Sequence, residues 1–474
     1  MVLVSLWLGA MGVNVKGSLR RYFWGDESFT SSNLATLFLS TSFSFNGILY
    51  QTWLGYSVGW SALLVQVVWC ASYFWLAKYR NRLTELSHGG TMHGVIGGAF
   101  GRAAERLAAI ASIIGFTLLI GWELSCGVSL FELVAPEKSA YIKFLTVLLA
   151  LVAAIYSIQG GMRGNLRANQ FQNGYAIIAM LIAVSILGFS IFSATGAGYH
   201  SPGAFKSLGL LYTSLGFGGL ITNLAFSLCW QFVDMSNWQN IASGNKDPNT
   251  TKQGLWRGAV WVFFFPGVIG TLAGMFMAGF KDITADNIVA RMVASFANMN
   301  WPFSVLLIAG FVAAMLSTLD GYLLAAGQAF TWDLSKRRAV REVLAVAEDS
   351  KTPDVVRREK AVIASSQLTI LAVAVAGSIG VLSLVHFDII NRFNLVYVVT
   401  VAQLALMPAV YSVLRGKTDG SGFLSILAGL IFGLGSVVIA LRTHNESLLN
   451  WSGVVGLAAA CGGIFVQRRV RPQQ

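Results

Sequence analysis

The chain has 474 residues, of which 55% are hydrophobic and 11% are charged, and its net charge is +12. A soluble domain carries about 25% charged residues because its surface faces water, so this composition excludes an ordinary water-soluble protein. The basic excess does not indicate nucleic-acid binding, because the Lys and Arg residues lie in short gaps between apolar runs. Backbone groups must be paired in hydrocarbon. The composition therefore predicts a single all-α transmembrane domain, residues 1–474.

The apolar runs predict thirteen transmembrane helices. Their expected ranges are 2–14, 32–58, 60–78, 104–134, 140–158, 170–195, 208–236, 255–280, 302–333, 361–385, 388–414, 420–441 and 449–467. The first is short for a span that needs about 20 residues. It lacks the basic start and cleavage site of a signal peptide, which favours a short first helix.

Alternate loops between these helices differ in charge. One set holds 26 of the 33 Lys and Arg residues and the other set holds seven. Basic loops usually face the cytoplasm, which predicts an external N-terminus and an internal C-terminus. We expect a multi-pass protein of the bacterial cytoplasmic (inner) membrane. The longest internal loop, 334–360, and the internal His88 and His93 receive no chemical role.

Three segments carry recognisable motifs. They are Tyr156-Ser-Ile-Gln-Gly-Gly-Met-Arg163 with Asn169-Gln-Phe-Gln172, then Ala313-Ala-Met-Leu-Ser-Thr-Leu-Asp320 with Leu323-Leu-Ala325 and Thr331-Trp-Asp-Leu334, and more weakly Arg21-Tyr-Phe23 with Gly55-Tyr-Ser-Val-Gly59. Their types and spacing resemble the solute:sodium symporter family over residues 20 to 415.

This resemblance implies a leucine-transporter-like core of two inverted five-helix repeats. The repeats would be 32–195 and 208–414, with one helix before them and two more within 415–474. The first helix of each repeat is interrupted near the middle of the membrane in such folds. Small hydroxyl residues at 40–47 and three glycines within 215–220 are the expected interruptions.

The resemblance also implies a sodium site with hard oxygen ligands. Carried over residue by residue, its carbonyl donors are Ser40, Phe43 and Ala314, and its hydroxyl donors are Ser317 and Thr318. The alternative is that these hydroxyls only bond to the preceding helical turn.

One position departs from the family pattern. Asn169 stands where the family has an aspartate associated with ion release, and an amide keeps the oxygen without the charge. Asp320, Glu123 and Asp234 are ionisable groups inside expected spans, where such residues are functional candidates. Coupling to protons therefore remains an alternative, with Asn169 and Asp320 as the release or coupling pair.

Polar and aromatic residues near the expected midplane form the candidate substrate site. They are Asn46, Gln51, Trp122, Glu123, Trp230, Gln231 and Asp234, with Gln403 as a weaker addition. An aromatic wall with a carboxylate and amides suits a small polar solute that can carry an amine. Tryptophan is also common as a packing or interface residue.

We therefore expect a sodium-coupled symporter of a small polar organic solute that works by alternating access, with sodium and membrane lipid as its further partners. The alternatives are a proton-coupled transporter of the same fold or a diverged sensor or channel-like member. A membrane-embedded enzyme is disfavoured, because the sequence shows no cluster of acids or histidines at a membrane face.

Overall fold

The computed structural model describes residues 1–10, 18–134, 139–194, 208–277, 280, 283–284, 287–299, 301–346, 350–386 and 394–470. Throughout this part of the chain the secondary structure is helical. The exception is one isolated bridge between Phe29 and Gly244. The all-α class that the composition predicts is confirmed.

The described residues up to position 194 form nine α-helices. They are α1 (Val2–Ala10), α2 (Leu19–Trp24), α3 (Ser31–Ser42), α4 (Phe45–Val58), α5 (Leu63–Ala77), α6 (Arg80–Gly89), α7 (Met92–Phe100), α8 (Arg102–Val134) and α9 (Ser139–Ala194). Short 3-10 turns, Gly25–Glu27 and Gly59–Ala62, follow α2 and α4.

The second half continues the bundle with thirteen described α-helices. They are α10 (Leu208–Val233), α11 (Met235–Ser243), α12 (Pro248–Val262), α13 (Gly270–Phe276), α14 (Ile288–Met299), α15 (Trp301–Ala329), α16 (Arg337–Leu344), α17 (Pro353–Val375), α18 (Val381–His386), α19 (Asn394–Leu404), α20 (Met407–Leu414), α21 (Gly422–Thr443) and α22 (Glu446–Val470). Single π-helical turns join α12 to α13 (Phe263–Ile269), extend α15 (Phe330–Ser335) and join α17 to α18 (Ala376–Gly380).

Ten helical stretches of the described chain are long and apolar enough to cross a membrane. Tyr141–Phe189 has 49 residues, about 74 Å of helix at 1.5 Å per residue, whereas a bilayer core is about 30 Å thick. Gly161 divides it, with φ 52° and ψ −149°. The protein is therefore an integral, multi-pass membrane protein. The count of thirteen spans and their sidedness stay predictions.

The helix expected to break at 40–47 does so. Helix α3 ends at Ser42 and α4 begins at Phe45. The hydroxyl of Ser44 caps α4 by accepting a hydrogen bond from the Gly47 N–H at 2.9 Å. A hydroxyl-rich sequence thus pairs backbone groups that the interruption would leave free.

The helix expected to break at 215–220 does so, and it breaks a second time further along the chain. Gly216 is non-helical, with φ 67° and ψ 162°, but it lies against α22, where Asn450 is its nearest neighbour. The interruption beside the first one is at Asp234, between α10 and α11. Gln239 of α11 shares a small cavity with Ser40 of α3. Helix α10 is therefore interrupted within 215–220 as expected, and a further interruption that the sequence did not indicate lies at Asp234.

The paired glycines of the first motif have two separate structural reasons. A Cβ on Gly160 would lie 2.2 Å from the carbonyl oxygen of Gly9, so glycine here lets α1 pack directly on α9. Gly161 has a positive φ, and a Cβ there would lie 2.4 Å from the Tyr22 carbonyl oxygen. The motif holds the N-terminal helices against the kink in α9.

Candidate functional site

A cavity of about 730 Å³ lies beside the two interrupted helices. Ser42, Ser44 and Asn46 line it at the first interruption, and Trp230 lines it four residues before the second. From there it extends to the α21–α22 turn at His444–Glu446. This volume is in the range of small-molecule sites, and the location joins both repeats.

The cavity opens on one side of the bundle. Helix α21 starts next to the basic segment that holds Arg415 and Lys417, and it ends at the turn that lines the cavity. The cavity therefore reaches the end of the bundle opposite to this basic segment.

The candidate substrate residues divide into two groups. Asn46, Gln51, Trp122 and Trp230 line the cavity. Glu123, Gln231 and Asp234 are fully buried behind its wall. The Gln51 side-chain amide donates to the Thr271 hydroxyl at 2.8 Å, which joins α4 to α13.

Glu123 is bound by backbone groups of the first interruption. One carboxylate oxygen accepts the Phe45 N–H at 2.6 Å and the other accepts the Asn46 N–H at 3.1 Å. These are the first amides of α4, which carry the partial positive charge of the helix N-terminus. Glu123 of α8 is therefore a cap for α4, and the sequence could not show this contact between distant residues.

Asp234 has the corresponding place at the second interruption. Its carboxylate accepts the backbone N–H of Ser236 at 2.8 Å and the Ser236 hydroxyl at 2.6 Å. It thus caps the N-terminus of α11. Gln231 supports the same turn, because its side-chain oxygen accepts a hydrogen bond from the side-chain amide of Asn237 at 2.6 Å. A carboxyl group thus closes the N-terminus of the half-helix at each interruption, Glu123 at α4 and Asp234 at α11.

Sequence reasoning missed an aromatic cluster in the cavity wall. The rings of Trp69, Phe226 and Trp230 have centroid separations of 4.9 to 6.1 Å. The Trp69 indole N–H donates to the Ser42 hydroxyl at 3.4 Å. Trp69 and Phe226 lie within long apolar runs, which do not distinguish them from packing residues. The one available signal is the spacing of four residues between Phe226 and Trp230, which places both on the same face of α10.

The candidate sodium ligands come together where α3 crosses α15. The Thr318 hydroxyl lies 2.9 Å from the Ser40 carbonyl oxygen and 3.1 Å from that of Ala314. The Ser317 hydroxyl lies 2.9 Å from the same Ala314 oxygen. Two carbonyls and two hydroxyls therefore form one buried oxygen cluster, a donor set that suits a small hard cation.

Phe43, the remaining candidate ligand, directly follows α3. Its dihedrals, φ −90° and ψ 52°, are not helical, so its carbonyl leaves the direction of the α3 axis. Back-bonding of Ser317 and Thr318 to Ala314 is also present. The contact from Thr318 to Ser40, on another helix, exceeds what back-bonding alone provides.

Asp320 and Asn169 are neighbours in the structure. The Asn169 amide donates to one Asp320 oxygen at 3.4 Å, and the Tyr156 hydroxyl contacts the other at 3.1 Å. Asp320 is fully buried. No ion pair among the described residues includes it. Position 169 has an amide in place of the family's aspartate, but the Asp320 carboxylate of α15 lies beside it.

A second cavity of about 10 Å³ adjoins this pair, close to the space that a single water molecule needs. Ser40, Asn165, Asn169 and Gln239 are among its lining residues. The side-chain oxygens of Asn165 and Asn169 are buried and accept no hydrogen bond from the described residues. Buried oxygens without donors are suited to a cation or to water.

Gln403 lies away from the cavity wall, fully buried in α19 against Gly115 of α8.

On the basic side, His93 is not a solvated loop residue. It is fully buried between the Asp333 carboxylate at 2.9 Å and the Ser112 hydroxyl at 2.8 Å. This group ties α7 to α8 and α15.

Contacts on the basic side close the bundle beneath the interruptions. Glu27 pairs with Arg20 at 2.8 Å and with Lys246 at 3.2 Å. The Phe29 N–H donates to the Ser243 carbonyl at 3.0 Å. These contacts join the segment before α3 to the end of α11.

No protein-family model matches the sequence, and no curated protein matches it. The structure is similar to that of a Na⁺-coupled sialic acid symporter in a substrate-bound, outward-open state. The TM-score is 0.74 at 13% identity over 99% of this chain and 96% of that chain. It is also similar to Mhp1, a nucleobase-cation-symport-1 family transporter with bromovinylhydantoin bound (TM-score 0.55, 14% identity, 97% and 96% covered).

A further similar structure is that of MhsT in complex with L-phenylalanine, with a TM-score of 0.51 at 14% identity over 93% of this chain and 99% of that one. The resemblance that the sequence motifs indicate is thus matched at the level of the fold. The chain has the fold of sodium-coupled symporters, built around two interrupted helices.

Proposed function

We propose that this protein is a secondary active transporter that couples the uptake of a small polar organic solute to sodium by alternating access. The observation that carries the proposal is the oxygen cluster of Ser40, Ala314, Ser317 and Thr318 at the crossing of α3 and α15. It lies next to an interrupted helix that also borders the large cavity.

The cluster explains how ion and solute binding become coupled. Sodium held there would bridge α3 to α15. Helix α3 supplies the Ser40 carbonyl oxygen, and α15 supplies the Ala314 carbonyl oxygen and the hydroxyls of Ser317 and Thr318. The first interruption begins only three residues after Ser40. Sodium would therefore stabilise the arrangement of α3 and α4 in which Ser42, Ser44 and Asn46 line the cavity. A ligand shifts an equilibrium only through such differential contacts.

The opposite state requires that the basic side open. The contacts of Glu27 and Phe29 with the end of α11 are those that must separate. Asn169, which bonds to Asp320, lines the small cavity that also borders Ser40 of the sodium cluster and Gln239 of α11. The Asn169 and Asp320 side chains offer oxygens for the ion as it leaves.

Proton coupling is the second candidate, favoured by one observation. Asp320 is fully buried without a basic partner among the described residues, and an intramembrane carboxyl of this kind is a common proton carrier.

Linked binding tests the leading proposal. Purified protein is screened against neutral, cationic and anionic solutes by thermal unfolding, in sodium and in potassium at equal ionic strength and fixed pH. Sodium should raise the unfolding temperature and tighten the binding of any solute found, and the solute should tighten sodium binding by the same factor. Solute binding that is equal in both salts but changes with pH would favour proton coupling.

A further inference from the structure

We infer that the cavity selects a positively charged organic solute, an ammonium held by the aromatic cluster of Trp69, Phe226 and Trp230. This inference rests on the proposed transport function and specifies the substrate class of the same site. It follows from the side chains that line the cavity and from the two helix N-termini beside it, which protein carboxyl groups already bind.

A solute anion meets no permanently cationic side chain among the described residues that line this cavity, where the imidazole is that of His444. Among its described lining residues none is Lys or Arg. Helix N-termini are the other common anion sites, and two adjoin the cavity. The first amides of α4 are taken by Glu123, and the start of α11 is taken by Asp234. A solute carboxylate would have to displace a buried protein carboxylate from either one.

The same two residues place buried carboxyl groups beside the cavity wall. Glu123 directly follows Trp122 in the sequence. Asp234 forms no ion pair with a basic side chain among the described residues. Its backbone N–H donates to the Trp230 carbonyl at 3.0 Å. Each lining tryptophan thus has a buried carboxylate close behind it. Both Glu123 oxygens accept backbone hydrogen bonds, so neither of these two N–H groups is free for a solute anion.

The aromatic cluster supplies the complementary contact. Trp69 and Trp230 present rings inclined by 24° with centroids 6.1 Å apart, and Phe226 lies 4.9 Å from Trp230. All three line the cavity. Organic ammonium ions bind over aromatic faces, with Trp giving the strongest attraction. The buried Trp122 indole N–H, without a described acceptor, is available to an oxygen on the same solute.

A series of solutes of nearly equal shape tests the charge preference. Choline and tetramethylammonium are the cationic probes, 3,3-dimethylbutanol is the neutral isostere of choline, and pivalate is an anion of similar bulk. Binding to the full-length protein is measured by calorimetry in saturating sodium. We expect choline to bind at least about tenfold more tightly than the neutral isostere and pivalate not to bind. Equal binding, a preference for the neutral or anionic probe, or no binding of either cation would overturn the inference.

Variants of one ring separate π attraction from packing. Trp230→Phe keeps an aromatic face and should retain most of the preference for choline over its neutral isostere. Trp230→Leu keeps an apolar side chain and should reduce that preference about tenfold. If Trp230→Leu does not fold, Trp69→Leu serves the same comparison on α5. An unchanged preference in both leucine variants would exclude the cluster as the cation site.

Glu123→Gln tests the second half of the argument. It keeps one oxygen for the α4 amides and removes the charge, so the ratio of choline to 3,3-dimethylbutanol affinity should fall. A ratio that stays the same would contradict the role of the carboxylate. The two proposals fail differently. Sodium-linked binding of an anionic or neutral solute would overturn this inference alone, whereas the absence of any sodium linkage would overturn the transport proposal.

Discussion

Thr318→Val is the sharpest perturbation of the proposed sodium site. Valine has nearly the same shape as threonine, so the fully buried position keeps its packing while the hydroxyl is lost. That hydroxyl lies 2.9 Å from the Ser40 oxygen and 3.1 Å from the Ala314 oxygen. No other side chain of the proposed sodium cluster makes a hydrogen bond between α3 and α15.

The expected loss follows from the energy of one contact to a charge. Hydrogen bonds and similar contacts to charged groups contribute about 1.5–3 kcal/mol, and each 1.4 kcal/mol is about tenfold in affinity. We therefore expect Thr318→Val to weaken sodium binding by about 10- to 100-fold. Binding of radioactive sodium to purified protein, with potassium keeping the ionic strength constant, measures this directly.

Thr146→Val is the matched control. Thr146 is fully buried in α9, and its hydroxyl bonds only to the preceding turn, at the Ile142 carbonyl, 2.8 Å away. It makes the same chemical change with no expected effect on sodium. Equal sodium affinities for Thr318→Val and Thr146→Val would refute the assignment. The Thr318 hydroxyl would then only hydrogen-bond to protein carbonyls and would not bind sodium.

Three other predictions concern charge and backbone. Asp320→Asn should weaken sodium binding about tenfold or more, and adding Asn169→Asp should restore much of it because the two side chains are neighbours; failure of this exchange in sodium titrations would separate the pair from the ion. Gly161→Ala should lower the unfolding temperature because of its positive φ and the Tyr22 carbonyl, whereas Gly174→Ala, with open space, should not. Glu359→Gln should destabilise the fold by about 3 kcal/mol in chemical unfolding, because it removes the charge that pairs with Lys351, while the glutamine oxygen can still accept from the Leu19 N–H; Glu359→Gln with Lys351→Met should recover part of the loss.

The first interrupted helix could be predicted from sequence because its cause is local. Ser44 lies within the chain segment that breaks, and its hydroxyl caps the helix that follows. The kink at Gly216 was predicted from its glycines, whereas the interruption at Asp234 was missed because glycine was taken as the marker of unwinding. The actual signal is Asp234, an N-cap type of residue after an apolar run, with Ser236 two positions later.

The site could be predicted only in part, for a related reason. Residue type and motif spacing indicated Ser317 and Thr318, and the structure brings both to the α3 crossing. Glu123 was expected to face the bundle interior, and it does, but its partners are amides 77 and 78 residues away. Such contacts depend on how α8 packs against α4. Trp69 was missed because a tryptophan in an apolar run looks the same whether it faces lipid or a cavity.

The central claim is that a sodium gradient drives solute transport. The most direct test is uptake into proteoliposomes of a solute identified by the thermal screen, with sodium and proton gradients imposed one at a time. The structure predicts accumulation above the external concentration under an inward sodium gradient at equal pH, and loss of accumulation in Thr318→Val. Accumulation that follows the proton gradient with sodium equal on both sides, and that persists in Thr318→Val, would contradict it.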